Sequence, residues 1–213
     1  MSEQISLFSF ADAAGAAERA AIVAVLAEVA RGEARGPVLA AATLPGGRNA
    51  GDWLLRMSLP RGSAGVDLAA RLPTSLSPLV AAEDTAVYEP LCGGGAGPRV
   101  GVFRTALFHA FRQPTTARLS AFEAELSAMP RRVGSIRAWA LGRVTASRGR
   151  FAWTHVWEQT YDDLHGLLGP YMQHPCHWGQ VDRWFDPEHP DWLIEPEVVH
   201  AFSQSEVLPV LGG

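Results

Sequence analysis

The feature that most constrains the fold is a glycine-rich run near the middle of the chain, CGGGAGP at 92–98. Four glycines and a proline this close together disfavour regular secondary structure, so residues 93–98 are predicted to be a linker. The linker divides the 213 residues into a first half, 1–92, and a second half, 99–213. All seven histidines and six of the seven tryptophans lie in the second half, so any chemistry is expected there.

Each half shows the same order of predicted elements: strand, helix, strand, strand, helix, strand. The strands alternate in side-chain character, and the long helices contain no proline. In the first half the elements are predicted at 5–10, 15–31, 38–43, 53–59, 66–72 and 85–88. In the second half they are predicted at 100–111, 115–128, 136–145, 151–159, 161–168 and 197–202, with Thr115 as the cap of the long helix.

This order is that of a ferredoxin-like unit, an antiparallel sheet covered by helices on one face. The other face of a single such sheet is bare, and two copies in one chain bury their bare faces against each other. We therefore predict an α+β fold in which two ferredoxin-like α/β units in tandem form one pseudo-dimeric α/β barrel.

Composition excludes several classes of function. The net charge of −4 and the lack of a basic stripe argue against a nucleic-acid partner. No apolar run is long enough to span a bilayer and the first residues lack the basic stretch of a signal peptide, so no membrane partner and a cytoplasmic location are expected. All 18 basic residues are arginine, which excludes lysine Schiff bases and phosphate-loop lysines. The two cysteines lie far apart, which favours a reducing compartment.

One segment of the second half carries a recognisable pattern, THVWEQTYDDLHGLLGPYMQHPCH at 154–177. A strand bearing Thr-His, then a helix, then Tyr-x-x-His-Pro-x-His resembles the stress-responsive dimeric α/β-barrel (Dabb) family. The resemblance covers residues 99–203 and extends to 5–59 by element order alone. Two fused units are similar to the tandem members of this family, in which one polypeptide supplies both halves of the barrel.

The resemblance implies candidate catalytic residues. In the plant polyketide cyclase of this family, which closes an aromatic ring by aldol condensation, a tyrosine and the last histidine of the His-Pro-x-His motif work as a pair. These positions match Tyr171 and His177. A pocket histidine on the third strand of the cyclase matches His155, whereas its first-strand histidine corresponds to Thr105 here. One extra residue separates the strand histidine from the tyrosine.

The chemistry of the two side chains supports a paired role for Tyr171 and His177. Pro175 breaks any helix between them, so the side chains are expected to converge from a bend. A neutral imidazole accepts a proton α to a carbonyl, and a phenol holds the enolate oxygen that results. The alternative is structural: Tyr171 and His174 satisfy backbone groups at the bend, and His177 caps the following helix.

A pocket wall is predicted on the strand at 151–159. One face of it carries four alternating residues, Phe151, Trp153, His155 and Trp157. Such a face suits a planar, apolar ligand, and the alternative is that it is barrel core. The predicted substrate-binding residues are His155, Trp157, Thr105 and His174.

No cofactor and no metal are predicted. The sequence HPCH at 174–177 offers three potential ligands, but no second Cys or His pair at ligand spacing accompanies it. The predicted function is binding of a small, mostly apolar molecule, with a cyclase- or lyase-type proton transfer by the His-Tyr pair. Two alternatives stay open: a non-catalytic stress or assembly barrel filled by side chains, and a haem-degrading or cofactor-free monooxygenase.

Two predictions concern surfaces. The Pro- and Trp-rich segment 182–196 is expected either to cover one mouth of the barrel or to form an oligomer contact. The predicted higher assembly is a homodimer of two tandem barrels.

Overall fold

The sheet is built from two copies of one four-stranded unit. The first contains β1 (Ser2–Phe10), β2 (Leu39–Ala42), β3 (Trp53–Leu59) and β4 (Val80–Gly95), in the spatial order β2-β3-β1-β4. The second contains β5 (Gly101–Phe108), β6 (Ala138–Arg148), β7 (His155–Tyr161) and β8 (Val199–Ser205), in the matching order β6-β7-β5-β8. The computed structural model describes residues 1–98, 100–111 and 114–211.

One long helix follows the first strand of each unit. These helices are α1 (Ala16–Glu33) and α2 (Thr116–Ala128). The Thr115 hydroxyl accepts the backbone N–H of Arg118 at 3.3 Å, which confirms the predicted cap of α2. The shorter helical segments are Ala69–Arg71, Ser77–Leu79, Met129–Arg131, α3 (Leu164–Gly166), Leu167–Tyr171, His177–Val181 and Asp182–Trp184.

Antiparallel pairing joins the two units into one eight-stranded sheet. β4 pairs with β6 along its second half, and these two strands form the seam between the units. The opposite edges, β2 and β8, approach each other, and there Arg48 and His200 exchange backbone hydrogen bonds of 2.9 and 2.8 Å. The sheet is thus a nearly closed barrel, and the predicted α+β fold of two ferredoxin-like units is confirmed.

The glycine-rich run is not a linker along its whole length. Residues 93–95 belong to β4 and pair with residues 138–140 of β6. The prediction that 93–98 lie outside regular structure is therefore wrong for 93–95, because hydrogen bonds from β6 offset the weak strand preference of glycine. Gly95 has a φ of +87°, and a Cβ there would lie 2.2 Å from the Arg137 carbonyl oxygen. Residue 99, the predicted start of the second half, lies outside the described residues.

Other predicted elements differ in extent. The strand predicted at 85–88 extends over Val80–Gly95, because it pairs with β1 on one side and β6 on the other. The helix predicted at 66–72 is a single turn at Ala69–Arg71. The strand predicted at 151–159 begins only at His155, so Trp153 packs into the barrel while Trp157 packs on the helical side.

Both faces of the sheet are buried. The inner face fills the barrel with apolar side chains from both halves, among them Ile5, Leu54, Tyr88, Phe103 and Val156. α1 covers the outer face of the first half, and α2 with the helical segments at 164–184 covers the outer face of the second half. None of the helices in the described ranges is long and apolar enough to cross a bilayer.

Candidate functional site

A cavity of about 250 Å³ lies on the outer face of the second half of the sheet. β5, β7 and β8 contribute one side of it, and α2 with the helical segments at 164–184 contributes the other. The lining residues are Arg48, Arg104, Phe108, Leu126, Trp157, Tyr171, His177, Val181, Asp182, Phe185, Pro196, Val198 and His200. The cavity therefore lies between the sheet and its helical cover, outside the barrel.

The predicted pair, Tyr171 and His177, lines this cavity. Tyr171 ends one π-helical segment and His177 begins the next, and the chain turns between them before the helix resumes at Pro175. The two rings meet edge to face, with centroids 4.9 Å apart and planes at 74°. The turn thus brings two side chains that are six positions apart to the same space.

Burial sets the protonation state of Tyr171. Its side chain is 2% exposed and packs edge to face on Tyr161, with 5.8 Å between the ring centroids. The Arg104 guanidinium lies 5.1 Å from the centroid of the Tyr171 ring. Burial raises the pKa of Tyr171 above its ordinary value, although Arg104 acts to lower it. The phenol therefore keeps its proton at neutral pH and is able to donate a hydrogen bond.

His177 is neutral at neutral pH. Burial, followed by the positive charge of Arg104, lowers the pKa of His177 to about 4. Its Nδ1 lies 3.5 Å from Asp182 Oδ1, longer than a normal hydrogen bond, and burial raises the pKa of the Asp182 carboxyl. A neutral imidazole has one unprotonated nitrogen, which is the group that accepts a proton in base catalysis.

Of the four predicted substrate-binding residues, Trp157 lines the cavity and His155 does not. His155 lies beneath α2, where its Nε2 is 3.2 Å from Glu123 Oε1 and its Nδ1 is 2.9 Å from the Thr154 hydroxyl. Burial lowers the pKa of His155, although Glu123 acts to raise it. His155 therefore belongs to a polar cluster with the buried Glu123 and the exposed Arg143, beside the cavity rather than in its wall.

Thr105 and His174 also lie away from the cavity. Thr105 is fully buried on the inner face of β5, opposite Glu158, because adjacent residues of a strand point to opposite sides. Its neighbour Arg104 lines the cavity instead. His174 lies at the turn, where its Nδ1 accepts the backbone N–H of Cys176 at 3.1 Å. His174 thus satisfies a backbone donor at the bend.

The unpredicted residues of the lining include three with basic side chains: Arg48, Arg104 and His200. Arg104 is 3% exposed, and its Nη1 donates to Gln159 Oε1 at 2.6 Å. Burial lowers the pKa of His200 well below its usual value, and Arg104 acts in the same direction. Arg48 belongs to the first half of the chain, and it reaches the cavity because its backbone pairs with that of His200. The sequence signal for Arg104 is a charged residue within an otherwise apolar strand, which demands a buried partner.

The segment 182–196 covers the cavity rather than a mouth of the barrel. Asp182, Phe185 and Pro196 line the cavity, and Phe185 packs on Phe108 of β5 with 5.3 Å between the ring centroids. The Trp184 Nε1–H donates to Glu125 Oε2 of α2 at 2.8 Å, so the segment is tied to the helical cover.

The HPCH sequence at 174–177 does not gather its side chains at one point. His174 bonds to the backbone at the turn, whereas His177 lines the cavity and Cys176 donates to Gln180 Oε1 at 3.3 Å. Within the described ranges, no group of three His, Cys, Asp or Glu side chains is placed to hold a metal ion.

The fold and the cavity define a class: α/β-barrel proteins built from paired ferredoxin-like units, with a small-molecule-sized cavity between sheet and helices. The family model described as the stress responsive A/B barrel domain matches residues 102–194, and this part of the chain belongs to that family. The matched segment includes Arg104, Trp157, Tyr171 and His177. A comparison with curated proteins finds no match.

The barrel is shared with solved structures of low sequence identity. An anthrone oxidase-like protein is 14% identical, with a TM-score of 0.66 over 98% of this chain and 91% of that one. A mutant chlorite dismutase from Candidatus Nitrospira defluvii is 13% identical, with a TM-score of 0.56 over 96% and 92% of the two chains. A haem-degrading enzyme from Listeria monocytogenes is 9% identical, with a TM-score of 0.50 over 93% and 98%. At these identities the likeness establishes the fold alone.

Proposed function

We propose that this chain binds a small, mostly apolar carbonyl compound in the cavity and removes a proton from the carbon beside the carbonyl. The observation that carries the proposal is the Tyr171–His177 pair, whose ring centroids lie 4.9 Å apart at the wall of one cavity. A protonated phenol and a neutral imidazole side by side are the two groups that enolate formation requires.

His177 is the general base in this proposal. Because its pKa is about 4, the imidazole is unprotonated across the neutral range and free to take the proton as the C–H bond breaks. The Tyr171 hydroxyl donates a hydrogen bond to the carbonyl oxygen, where negative charge develops. Its raised pKa keeps the phenolic proton in place for this donation.

The cavity limits the ligand to a small molecule. Its volume of about 250 Å³ lies just below the roughly 300 to 1,000 Å³ of sites that hold drug-sized ligands. Phe108, Trp157 and Phe185 supply flat apolar walls, which favour an aromatic ring. A compound with one aromatic ring and a ketone side chain has both properties.

The enolate has two fates, which separate two candidate functions. Attack on a second carbonyl of the same molecule forms a carbon–carbon bond, as in a polyketide-type cyclase, and the reverse step is that of a lyase. Reaction with dioxygen instead oxidises a CH₂ carbon to a ketone and releases the other oxygen atom as water, as in a cofactor-free monooxygenase. The fold likeness to an anthrone oxidase-like protein motivates an assay for the second fate.

The non-catalytic interpretation predicts a barrel filled by side chains, and the inner face of this barrel is filled. The cavity lies on the other face of the sheet, so a packed barrel interior does not prevent a ligand from binding in the cavity. A measurement of proton-transfer activity therefore distinguishes the catalytic interpretation from the non-catalytic one.

Proton abstraction is tested by hydrogen–deuterium exchange. Phenylacetone is incubated with the protein in D₂O at neutral pH, and the loss of its methylene signal is followed by proton NMR. The wild-type protein is expected to accelerate the loss. His177→Ala and Tyr171→Phe are each expected to lower the protein-catalysed rate by about 100-fold.

The control is His165→Ala, which removes an exposed histidine from the same helical cover and is expected to leave the rate unchanged. No acceleration by the wild-type protein, or an equal rate for His177→Ala, contradicts the proposal. Oxygen uptake during the reaction favours the monooxygenase candidate, and a haem titration tests the haem-degrading alternative. Light scattering tests the homodimer, which stays a prediction.

A further inference from the structure

Arg104 is a buried cation without an acidic partner in the described part of the chain. It lies in the middle of β5, is 3% exposed and lines the cavity. Its Nη1 donates to Gln159 Oε1 at 2.6 Å, which uses one of five N–H donors. Of two carboxylates near the cavity, Glu197 pairs with Arg48, and Asp182 lies 3.5 Å from the neutral His177. Burial of a charge is unfavourable unless a counter-charge or strong hydrogen bonds compensate it.

Two further donors beside Arg104, Trp157 Nε1 and Gln159 Nε2, share one nearby acceptor, the Tyr171 hydroxyl oxygen. Both atoms are buried and, within the described residues, have no hydrogen bond of normal geometry, and the Tyr171 hydroxyl is the group that their side chains approach. Gln159 is the cross-strand neighbour of Arg104, and Trp157 lies two residues before it on the same face of β7. Both side chains lie close enough to the Tyr171 hydroxyl to influence its pKa. The floor of the cavity therefore offers donors in excess of acceptors.

The charged groups of the lining leave Arg104 as its buried cation. At neutral pH the two lining histidines, His177 and His200, are uncharged because burial lowers the pKa of each. The remaining charged groups of the lining are two arginines, Arg48 and Arg104, and one carboxylate, Asp182. Glu197 balances Arg48, and Asp182 is half-exposed whereas Arg104 is buried, so a ligand carboxylate beside Arg104 supplies the counter-charge that this cation needs.

We infer that the ligand is a small aromatic acid bearing a ketone, and that Arg104 binds its carboxylate. The inference rests on the proposed function for the ketone and names the substrate class. A planar carboxylate accepts two hydrogen bonds from a guanidinium edge, which a hydroxyl or an amide does not reproduce. Arg104 lies against the Tyr171 ring, so an acid held there places its ring beside the Tyr171–His177 pair. Arg104 is then a specificity-determining residue.

The inference is tested with two probes of equal shape and different charge, 3-hydroxybenzoate and 3-hydroxybenzamide. Dissociation constants are measured by NMR from the shift of the Trp157 indole N–H, assigned with Trp157→Phe. The wild-type protein is expected to bind the acid at least about tenfold more tightly than the amide. Arg104→Gln is expected to reduce this preference to within about twofold, and Arg104→Lys to retain part of it because the charge stays.

The matched control is Arg137→Gln, since Arg137 is half-exposed and pairs with Asp162 at the surface. This variant is expected to keep the full preference for the acid. Equal binding of acid and amide by the wild-type protein, a preference that survives in Arg104→Gln, or failure of both probes to bind overturns the inference. If Arg104→Gln does not fold, the inference is tested by two results: the wild-type preference for the acid and its partial loss in Arg104→Lys.

The two proposals fail separately, because phenylacetone is uncharged. Phenylacetone exchange without a preference for the acid contradicts the assignment of Arg104 alone. A preference for the acid without exchange contradicts the proton abstraction alone.

Discussion

Arg56 of β3 and Glu158 of β7 form an ion pair across the inside of the barrel, with Arg56 Nε 3.2 Å from Glu158 Oε2. The first residue belongs to the first half of the chain and the second to the second half. Glu3 of β1 adds a second contact, with its Oε2 3.1 Å from Arg56 Nη1. Both members of the main pair are buried, so the two halves are joined by charge as well as by apolar packing.

Arg56→Met is expected to destabilise the protein strongly. Removing the cation leaves Glu158 buried without its partner, and breaking a buried pair lowers the free energy of unfolding by about 3–5 kcal/mol. Urea unfolding at pH 7 measures the change. Arg61→Met is the control, because Arg61 is exposed and its contact with Glu89 is 4.0 Å long, so a loss of less than about 1 kcal/mol is expected. Equal losses for the two variants contradict the role assigned to the buried pair.

The exchange reaction is expected to keep its rate well below neutral pH. The free-base form of His177 takes the proton, and with a pKa of about 4 this form persists down to that pH, whereas an ordinary histidine loses half of it near 6.5. A pH–rate profile of phenylacetone exchange measures the midpoint. In Arg104→Gln the second cause of the low pKa is removed, so the midpoint is expected to move upward. A wild-type midpoint near 6.5 contradicts the assignment.

Stability is expected to fall on acidification between pH 6.5 and about 4. In this window unfolded His177 binds a proton and folded His177 does not, so the unfolded state takes up more protons and the free energy of unfolding decreases as pH falls. From pH 7 to pH 5 the contribution of His177 is about 2 kcal/mol, and His200 acts in the same direction. Urea unfolding at the two pH values measures the decrease, which His177→Gln is expected to reduce by about the same 2 kcal/mol. An unchanged decrease in this variant argues against a buried neutral His177.

Gly142→Ala is expected to destabilise the seam between β4 and β6. A Cβ on Gly142 would lie 2.1 Å from Cδ2 of Tyr88, a fully buried ring of the barrel interior. The ring has to shift, which costs about 1–3 kcal/mol in a packed core. Gly134→Ala is the matched control, since nothing lies within 4 Å of its Cβ position and little change is expected. Thermal unfolding followed by circular dichroism compares the two, and similar midpoints contradict close packing at the seam.

Local patterns in the sequence predicted the repeated units correctly. The strand predicted at 53–59 is β3, and the helix predicted at 115–128 is α2 with Thr115 as its cap. These elements follow from alternation, helical spacing and capping, all of which depend on neighbouring residues only. The length of β4 did not follow, because its residues at 93–95 become a strand through hydrogen bonds with β6, a partner more than 40 positions away.

The residues predicted for the site do not all lie at the cavity. Tyr171, His177 and Trp157 converge on one cavity, whereas Thr105 and His155 lie outside it. Alternation determines that Arg104 and Thr105 point to opposite sides of β5, but it does not say which side holds a cavity and which is packed. Strand pairing and the helical cover decide this, and they made Arg104 rather than Thr105 the residue at the cavity.

The sequence by itself determined the two repeated units, the order of their main elements and the break at Pro175 between a tyrosine and a histidine. These features depend on side-chain periodicity and backbone restrictions within a few residues. Only the tertiary structure decided that the cavity lies outside the barrel, that Arg104 is buried with no acidic partner among the residues described, and that Arg48 of the first half reaches a cavity of the second. Those relationships depend on which distant strands pair and which faces they bury, because burial and charge compensation are properties of the assembled chain.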